Sequence, residues 1–356
     1  MASDPVPDSL PTTVLTGFLG SGKTTLLRHA LGSPALNDTA VIINEIGEIA
    51  IDHHLVDFVE GNVLELPGGC LCCAVREDLA ATLRDLLERR ESGAVRPFRR
   101  VAIETSGLAD PAPILYTLGV DPFLDGRLHL GRVVTVVDAV TGAASLTRFP
   151  EAARQAAVAD ALAISKTDLA PPSAELAAAL DALNPSAERI STAEIDPGEL
   201  LFAAMQYPHP NPPPLAGEGG TRREAVGGWG YAVPQAEHSH GIDSFAVVLR
   251  GAMTRLDFAK ALGALAMARG TDVLRVKGIV EFADRRGRPA AVHGAQHAIF
   301  PPEWLDAWPD ADRRSRLVFI VQDIARAEVL AHFAFADPEL IGERASNPHA
   351  HAAPLP

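Results

Sequence analysis

Short apolar runs alternate with longer amphipathic stretches through the first two hundred residues. Residues 12–16 (TTVLT) read as a short buried strand, followed by a Gly-rich loop and a helical run over 24–31. Residues 41–43 read as a second strand. Over 77–90, Leu79, Leu83, Leu86 and Leu87 recur at helical spacing with charges between them. Residues 101–103, 133–137 and 161–164 are further apolar runs, mostly β-branched, separated by helix-like stretches at 151–160 and 173–183. Strands alternating with helices predict an α/β domain whose mostly parallel sheet is covered on both faces.

The pattern changes after residue 205. Residues 206–241 are rich in Pro and Gly and read as a linker. Beyond them the elements come in a different order: strand 244–249, helix 254–269, strand 273–282, strands near 289–293 and 297–300, strand 316–322 and helix 325–334. This order predicts a smaller α+β domain with an antiparallel sheet. The expected division is a flexible N-terminus at 1–11, the α/β domain at 12–205, the linker, the second domain at 242–335 and a flexible tail at 336–356. No internal repeat is found.

A length of 356 residues fits two domains better than one. The net charge of −14 argues against nucleic acid as a partner and leaves cations as ligands. No apolar run reaches the roughly 20 residues that span a bilayer, so no membrane association is expected. Residues 1–11 are acidic and Pro-rich, without the basic and apolar regions of a signal peptide, so a cytoplasmic location is expected. The expected assembly is a monomer or a weakly associating homodimer. All three cysteines fall within four residues, which is no disulfide framework. Four lysines stand against 27 arginines, and two of them, Lys23 and Lys166, lie in nucleotide-binding patterns.

The segment GFLGSGKT over 17–24 matches G-x-x-x-x-G-K-[ST] between a strand and a helix. Gly17, Gly20, Ser21, Gly22, Lys23, Thr24 and Thr25 are the candidate phosphate site. Its glycines let backbone N–H groups converge on phosphate oxygens, and the helix N-terminus adds partial positive charge. Lys23 is expected to reach the β- and γ-phosphates and Thr24 to bind Mg²⁺. Glu104, at the end of the apolar run 101–103, is the second candidate Mg²⁺ ligand, and the N–H of Gly107 is placed to sense the γ-phosphate. Lys23, Thr24 and Glu104 are the candidate catalytic groups. In Ser165-Lys166-Thr167-Asp168, the Asp168 carboxylate would accept from guanine N1–H and N2–H₂, where adenine offers no match. Many GTPases carry Asn where Ser165 stands, so the preference for GTP rests on Asp168.

Cys70, Cys72 and Cys73 follow Gly68 and Gly69. Three thiolates can turn around one soft ion, Zn²⁺, Co²⁺ or Cu⁺, in preference to Mg²⁺. Three sulfurs leave a tetrahedral site one ligand short, which suits an exchangeable ion. Water, Glu48 or Glu45 is available for the fourth position. The segment lies between the phosphate loop and Glu104, the part of a P-loop GTPase that responds to the γ-phosphate. His53 and His54, His238 and His240, and His349 and His351 are paired histidines that either reach a metal or are simply solvated.

These residues together resemble the CobW-type family of metal-trafficking GTPases, relatives of the nickel-insertion GTPases for urease and hydrogenase. The resemblance is carried by TGFLGSGKTTLLRH (16–29), NEIGE (44–48), GGCLCC (68–73), ETSGLADP (104–111), VVDAV (136–140) and SKTD (165–168). LRVKG (274–278) and the run from 292–297 to 316–320 resemble the family's second domain. The resemblance implies slow intrinsic GTP hydrolysis, metal at Cys-x-Cys-Cys with Glu48 as an added ligand, and transfer to a client metalloprotein. The family's long His-rich stretch is reduced here to His238 and His240. Rival readings are a cobalt-supplying accessory of cobalamin synthesis, a metal sensor or store with regulatory nucleotide binding, and a kinase or ATPase with an incidental cysteine cluster.

Overall fold

The chain builds two sheets that share part of one core. The computed structural model describes residues 9–43, 63–65, 74–203 and 240–341. Within the first unit run β1 (Leu10–Gly17), α1 (Lys23–Leu31), β2 (Thr39–Ile43), β3 (Val63–Glu65), α2 (Ala74–Glu91) and β4 (Arg100–Glu104). Then come α3 (Ala112–Val120), β5 (Leu128–Asp138), α4 (Gly142–Arg148), α5 (Pro150–Ala157), β6 (Ala161–Ser165), α6 (Ala174–Leu183), β7 (Glu188–Ser191) and α7 (Pro197–Phe202). The strands form one sheet in the order β3-β2-β4-β1-β5-β6-β7. Every pairing in it is parallel.

A parallel sheet covered on both faces needs apolar side chains on both sides of its inner strands, and β1, β2, β4, β5 and β6 supply them. Successive residues point to opposite faces. Val14, Ile42, Ile103, Val133 and Leu162 enter the core on the α2 side with Leu79, Leu83 and Leu86. Their neighbours Leu15, Val41, Ala102, Val134 and Ala163 meet Leu26, Leu27 and Leu200 of α1 and α7 on the other side.

The second unit comprises β8 (Ile242–Leu249), α8 (Arg255–Arg269), β9 (Val273–Val280), β10 (Ala290–Ala295), β11 (Ala298–Ile299), β12 (Glu303–Trp304), β13 (Ser315–Gln322), α9 (Arg326–His332) and β14 (Pro338–Leu340). Its sheet is antiparallel throughout, in the order β11-β10-β9-β13-β8-β14, with β12 on β10. Helix α8 starts with a complete capping box, Thr254 against Asp257. The fold class is therefore the one expected: a parallel α/β unit and an antiparallel α+β unit.

Differences from the sequence expectations have local causes. The helix expected over 151–160 stops at Ala157, because Asp160 turns inward to accept the N–H of Val133 at 2.7 Å. The strand expected over 273–282 ends at Val280. Leu10 and Pro11 belong to β1 rather than to a flexible end, with Leu10 buried and paired with Leu128. Residues 338–340, expected in the tail, form the edge strand on β8.

The two units meet across α3, α5 and α6. Leu274, Ala295, Phe300 and Ile320 of the second unit join the first unit's core. At the centre Asp160 accepts from Nη2 of Arg275 at 2.8 and 3.1 Å and is ion-paired with Lys277. All three are buried. Burial opposes ionisation of Asp160, but Arg275 and Lys277 overcome it and hold its carboxyl well below the usual range. Burial, with Arg275 nearby, pulls Lys277 down to about 8 despite Asp160. Burial and the same cations lower His293 to about 3, so its ring is neutral.

Candidate functional site

The phosphate loop follows from where β1 sits. It lies between β4 and β5, and Leu15 is level with Glu104 in the parallel register. The chain leaves β1 at the carboxyl edge of the sheet, where consecutive connections depart in opposite directions and leave a crevice. Gly17 turns there with φ +144°, and a Cβ would lie 2.4 Å from the carbonyl oxygen of Val136. Only glycine passes β5 at that distance. Gly20 and Gly22 also have positive φ, +70° and +98°, and Gly22 caps the start of α1. Backbone N–H groups of the loop and the first turn of α1 thus converge on one cleft.

The cleft has a volume of about 320 Å³, with Gly20, Lys23, Thr24, Glu104, Gly107 and Lys166 in its wall. Thr24 Oγ1 donates to Glu104 Oε1 at 2.9 Å, so the hydroxyl and the carboxylate expected to share an ion are adjacent. Glu104 is buried. Lys23 Nζ donates to the carbonyls of Gly17 and Phe18 at 2.7 and 3.2 Å, which holds the ammonium inside the loop. Gly107 closes the opposite wall. A Cβ on it would lie 2.6 Å from Leu19 Cδ2 and 3.0 Å from Leu19 backbone, so the loop after β4 lies directly against the phosphate loop.

The base motif is tied to the same loop. Ser165 Oγ donates to the carbonyl of Ser21 at 2.6 Å. The serine therefore braces the phosphate loop. Lys166 takes φ +58° and pairs with Asp138. Asp138 also accepts from the N–H of Val140 at 2.7 Å and from the N–H and hydroxyl of Thr141 at 3.2 and 3.0 Å. Burial would raise its pKa, but Lys166 and these donors outweigh it and keep the carboxyl below its ordinary value. Asp168, two residues after Lys166, is exposed.

Asp138 and Gln155 were not singled out from the sequence as site residues. A carboxylate ending the apolar run VVD was the available signal for Asp138. Gln155 gives no such signal within an Ala-rich helix. It is fully buried, and its amide donates to the carbonyls of Gly107 and Ala109 at 3.2 and 2.9 Å.

Cys70, Cys72, Cys73, Glu48, Glu45, His53, His54, His238, His349 and His351 lie outside the described residues. Among the described residues no three His, Cys, Asp or Glu side chains group as a metal site. His240 is described, and its Nε2 lies 3.1 Å from the carbonyl oxygen of Leu146, at the junction of the two units. The described residues that flank the cysteine segment are informative. Ile43, the last residue of β2, lines the cleft and is level with Glu104 on one side and Glu65 on the other.

Comparison with known proteins matches residues 11–191 to the CobW/HypB/UreG nucleotide-binding domain and residues 242–336 to the cobalamin synthesis protein cobW C-terminal domain. The chain belongs to the CobW family. The zinc chaperone YjiA of Escherichia coli (strain K12) is 31% identical over 327 residues, 91% of this chain and 98% of that protein. The zinc chaperone CobW of Sinorhizobium sp is 30% identical over 361 residues, 90% of this chain and 96% of its own. The solved structure of Zn(II)-bound YjiA GTPase from Escherichia coli superposes with a TM-score of 0.65 at 26% identity, covering 92% of this chain and 99% of that one. This CobW-family chain is thus similar to YjiA over both units and their arrangement. Among its described residues no helix is long and apolar enough to cross a membrane.

Proposed function

We propose that this CobW-family GTPase is a GTP-dependent metal chaperone that binds a thiophilic ion at Cys70, Cys72 and Cys73 with Glu48 and passes it to a client metalloprotein. Zinc is the proposed cargo, because relatives matched over nearly their whole length carry it in their names. The observation that carries the reading is the position of Ile43. The chain enters the 44–73 segment from the wall of the nucleotide cleft, level with Glu104 and beside Thr24. Ligands in that segment are thereby coupled to whatever fills the cleft.

The described residues divide the work of GTP hydrolysis. The N–H groups of the phosphate loop and the ammonium of Lys23 offset the charge that builds on the phosphate oxygens. Thr24 Oγ1 and the Glu104 carboxylate are hard oxygen donors side by side, a set that fits Mg²⁺. When bound, that ion supplies charge neutralisation at the phosphates. Asp168 selects guanine, and Ser165 and Lys166 hold its loop to the phosphate loop. Water attacks the γ-phosphorus, the bond to the β-phosphate oxygen breaks, and GDP and phosphate leave.

Binding energies couple reciprocally: if GTP tightens the metal site, metal tightens GTP binding by the same factor. The test is titration of Zn²⁺ and Co²⁺ with and without a non-hydrolysable GTP analogue, repeated on Cys72→Ser. The expected result is tighter metal binding with the analogue, by roughly 5- to 150-fold, and loss of that gain in the variant. Equal metal affinity in both nucleotide states would leave a GTPase with an unrelated metal site.

A further inference from the structure

The loop after β4, residues 105–111, lines the cleft at Gly107 and is held from behind by α5. Gln155 of α5 donates its amide to the carbonyls of Gly107 and Ala109. Its own carbonyl accepts from Thr135 Oγ1 at 2.7 Å, which pins the helix to β5. The residue that precedes α5, Phe149, stacks on Phe18 of the phosphate loop with ring centroids 4.6 Å apart. Helix α5 and the residue before it therefore touch both the phosphate loop and the loop after β4.

Beside Gln155, Arg154 reaches the second unit. Its Nη1 donates to Asp110 Oδ2 at 3.1 Å and its Nε donates to Gln322 Oε1 at 2.8 Å. Asp110 ends the sensing loop and accepts the N–H of Ala112 at the start of α3 at 2.9 Å. Gln322 ends β13 and donates onward to the carbonyl of His240 at 2.8 Å. A single guanidinium thus joins the loop beside Gly107 to the last residue of a strand in the other sheet. Arg154 and Asp110 are about one-third exposed, 34% and 33%. The second tie, Asp160 to Arg275 and Lys277, lies just past the end of α5 and is buried. Buried paired charges hold one arrangement because breaking the pair strands a desolvated charge, whereas a half-hydrated fork exchanges partners at little cost.

We propose that Arg154 is a positioning residue that couples the nucleotide state sensed at Gly107 to the C-terminal sheet through Asp110 and Gln322, with the Asp160 cluster as the fixed pivot. The proposal rests on Gly107 facing the γ-phosphate. A planar fork spans two acceptors at once, which a lysine ammonium at the same place does not do in one geometry.

The experiment is hydrogen–deuterium exchange on the full chain with GDP and with a non-hydrolysable GTP analogue, read at 105–111 and at 316–323. In the unsubstituted protein the analogue is expected to slow exchange in both segments. Arg154→Ala and Arg154→Lys keep the response at 105–111 and lose that at 316–323, by about fivefold or more. Gln322→Leu, made from the other side, gives the same separation. A merely structural Arg154 would change stability in both nucleotide states alike. Variants that still pass the response to 316–323 overturn the coupling, as does a response confined to 105–111 in the unsubstituted protein; both leave the sensing role of Gly107 standing. No response in either segment removes that role, and the coupling with it.

Discussion

Two lysine–aspartate pairs flank β6, Lys166–Asp138 just past its end and Lys277–Asp160 just before its start, where Lys277 comes from β9 of the other sheet. Their chemistry is the same and their surroundings differ. Lys166 is 37% exposed at the mouth of the cleft, while Lys277 is 4% exposed between two sheets. At the mouth, water screens the pair, which can hold a loop and still adjust to a base. Between the sheets the groups are buried from bulk solvent, so the loss of a partner leaves a desolvated charge behind. Two buried cations face Asp160, and Nε and Nη1 of Arg275 have no hydrogen-bond partner among the described residues. The open pair stands at the wall of the cleft, and the closed one joins the two units.

The sharpest way to break this comparison is to remove each aspartate. Asp160→Ala strands two buried cations and is expected to cost about 3–5 kcal/mol of stability, read by urea unfolding. If Asp160→Ala unfolds no more readily than Asp138→Ala, burial is not what distinguishes the pairs. Next in size is Asp168→Ala at the open end. It should lower the preference for GTP over ATP by about 1–3 kcal/mol in competition binding and leave the unfolding midpoint in place. Smaller again is Lys166→Met, expected to change stability by at most about 1 kcal/mol because the lysine is hydrated. Its effect should appear as weaker GTP binding by calorimetry.

Stability also depends on pH, with a sign that follows from the lysine. Lys277 titrates near 8 in the folded chain against 10.5 for the ordinary side chain. Between those values the unfolded chain holds a proton that the native one has released. Stability from this group therefore rises with pH across that window, by less than about 1.4 kcal/mol per pH unit. Urea midpoints from pH 8 to 10 for the unsubstituted protein and Lys277→Met should diverge accordingly, and parallel curves would contradict it. Asp160 acts with the same sign at lower pH: its lowered pKa contributes stability that is present above the usual carboxylate range and lost as the pH falls into the acid range.

Legibility followed locality. The phosphate loop was readable because its conformation depends on residues that are consecutive: positive φ at Gly20 and Gly22, then a helix start. Glu104 and Asp168 were readable because each follows an apolar run whose end is the carboxyl edge of the sheet. The brace from Ser165 to Ser21 was not, since 144 residues separate them and their approach depends on the strand order β1-β5-β6. Short edge strands such as β7 and β14 escaped notice because they carry no apolar run of their own. Helix α3 escaped for the opposite reason: it is apolar on nearly every side, so it shows no polar face to reveal its period.

The chain's own order of residues decided the class of fold, the phosphate loop and the clustering of the three cysteines, because each rests on local periodicity or on side chains within a few positions of one another. Tertiary structure alone decided that Asp138 holds Lys166, that Gln155 backs Gly107, and that Asp160 and Arg154 tie one sheet to the other. Those roles come from desolvation and from partners distant in sequence, and neither is visible until the sheets have closed on each other.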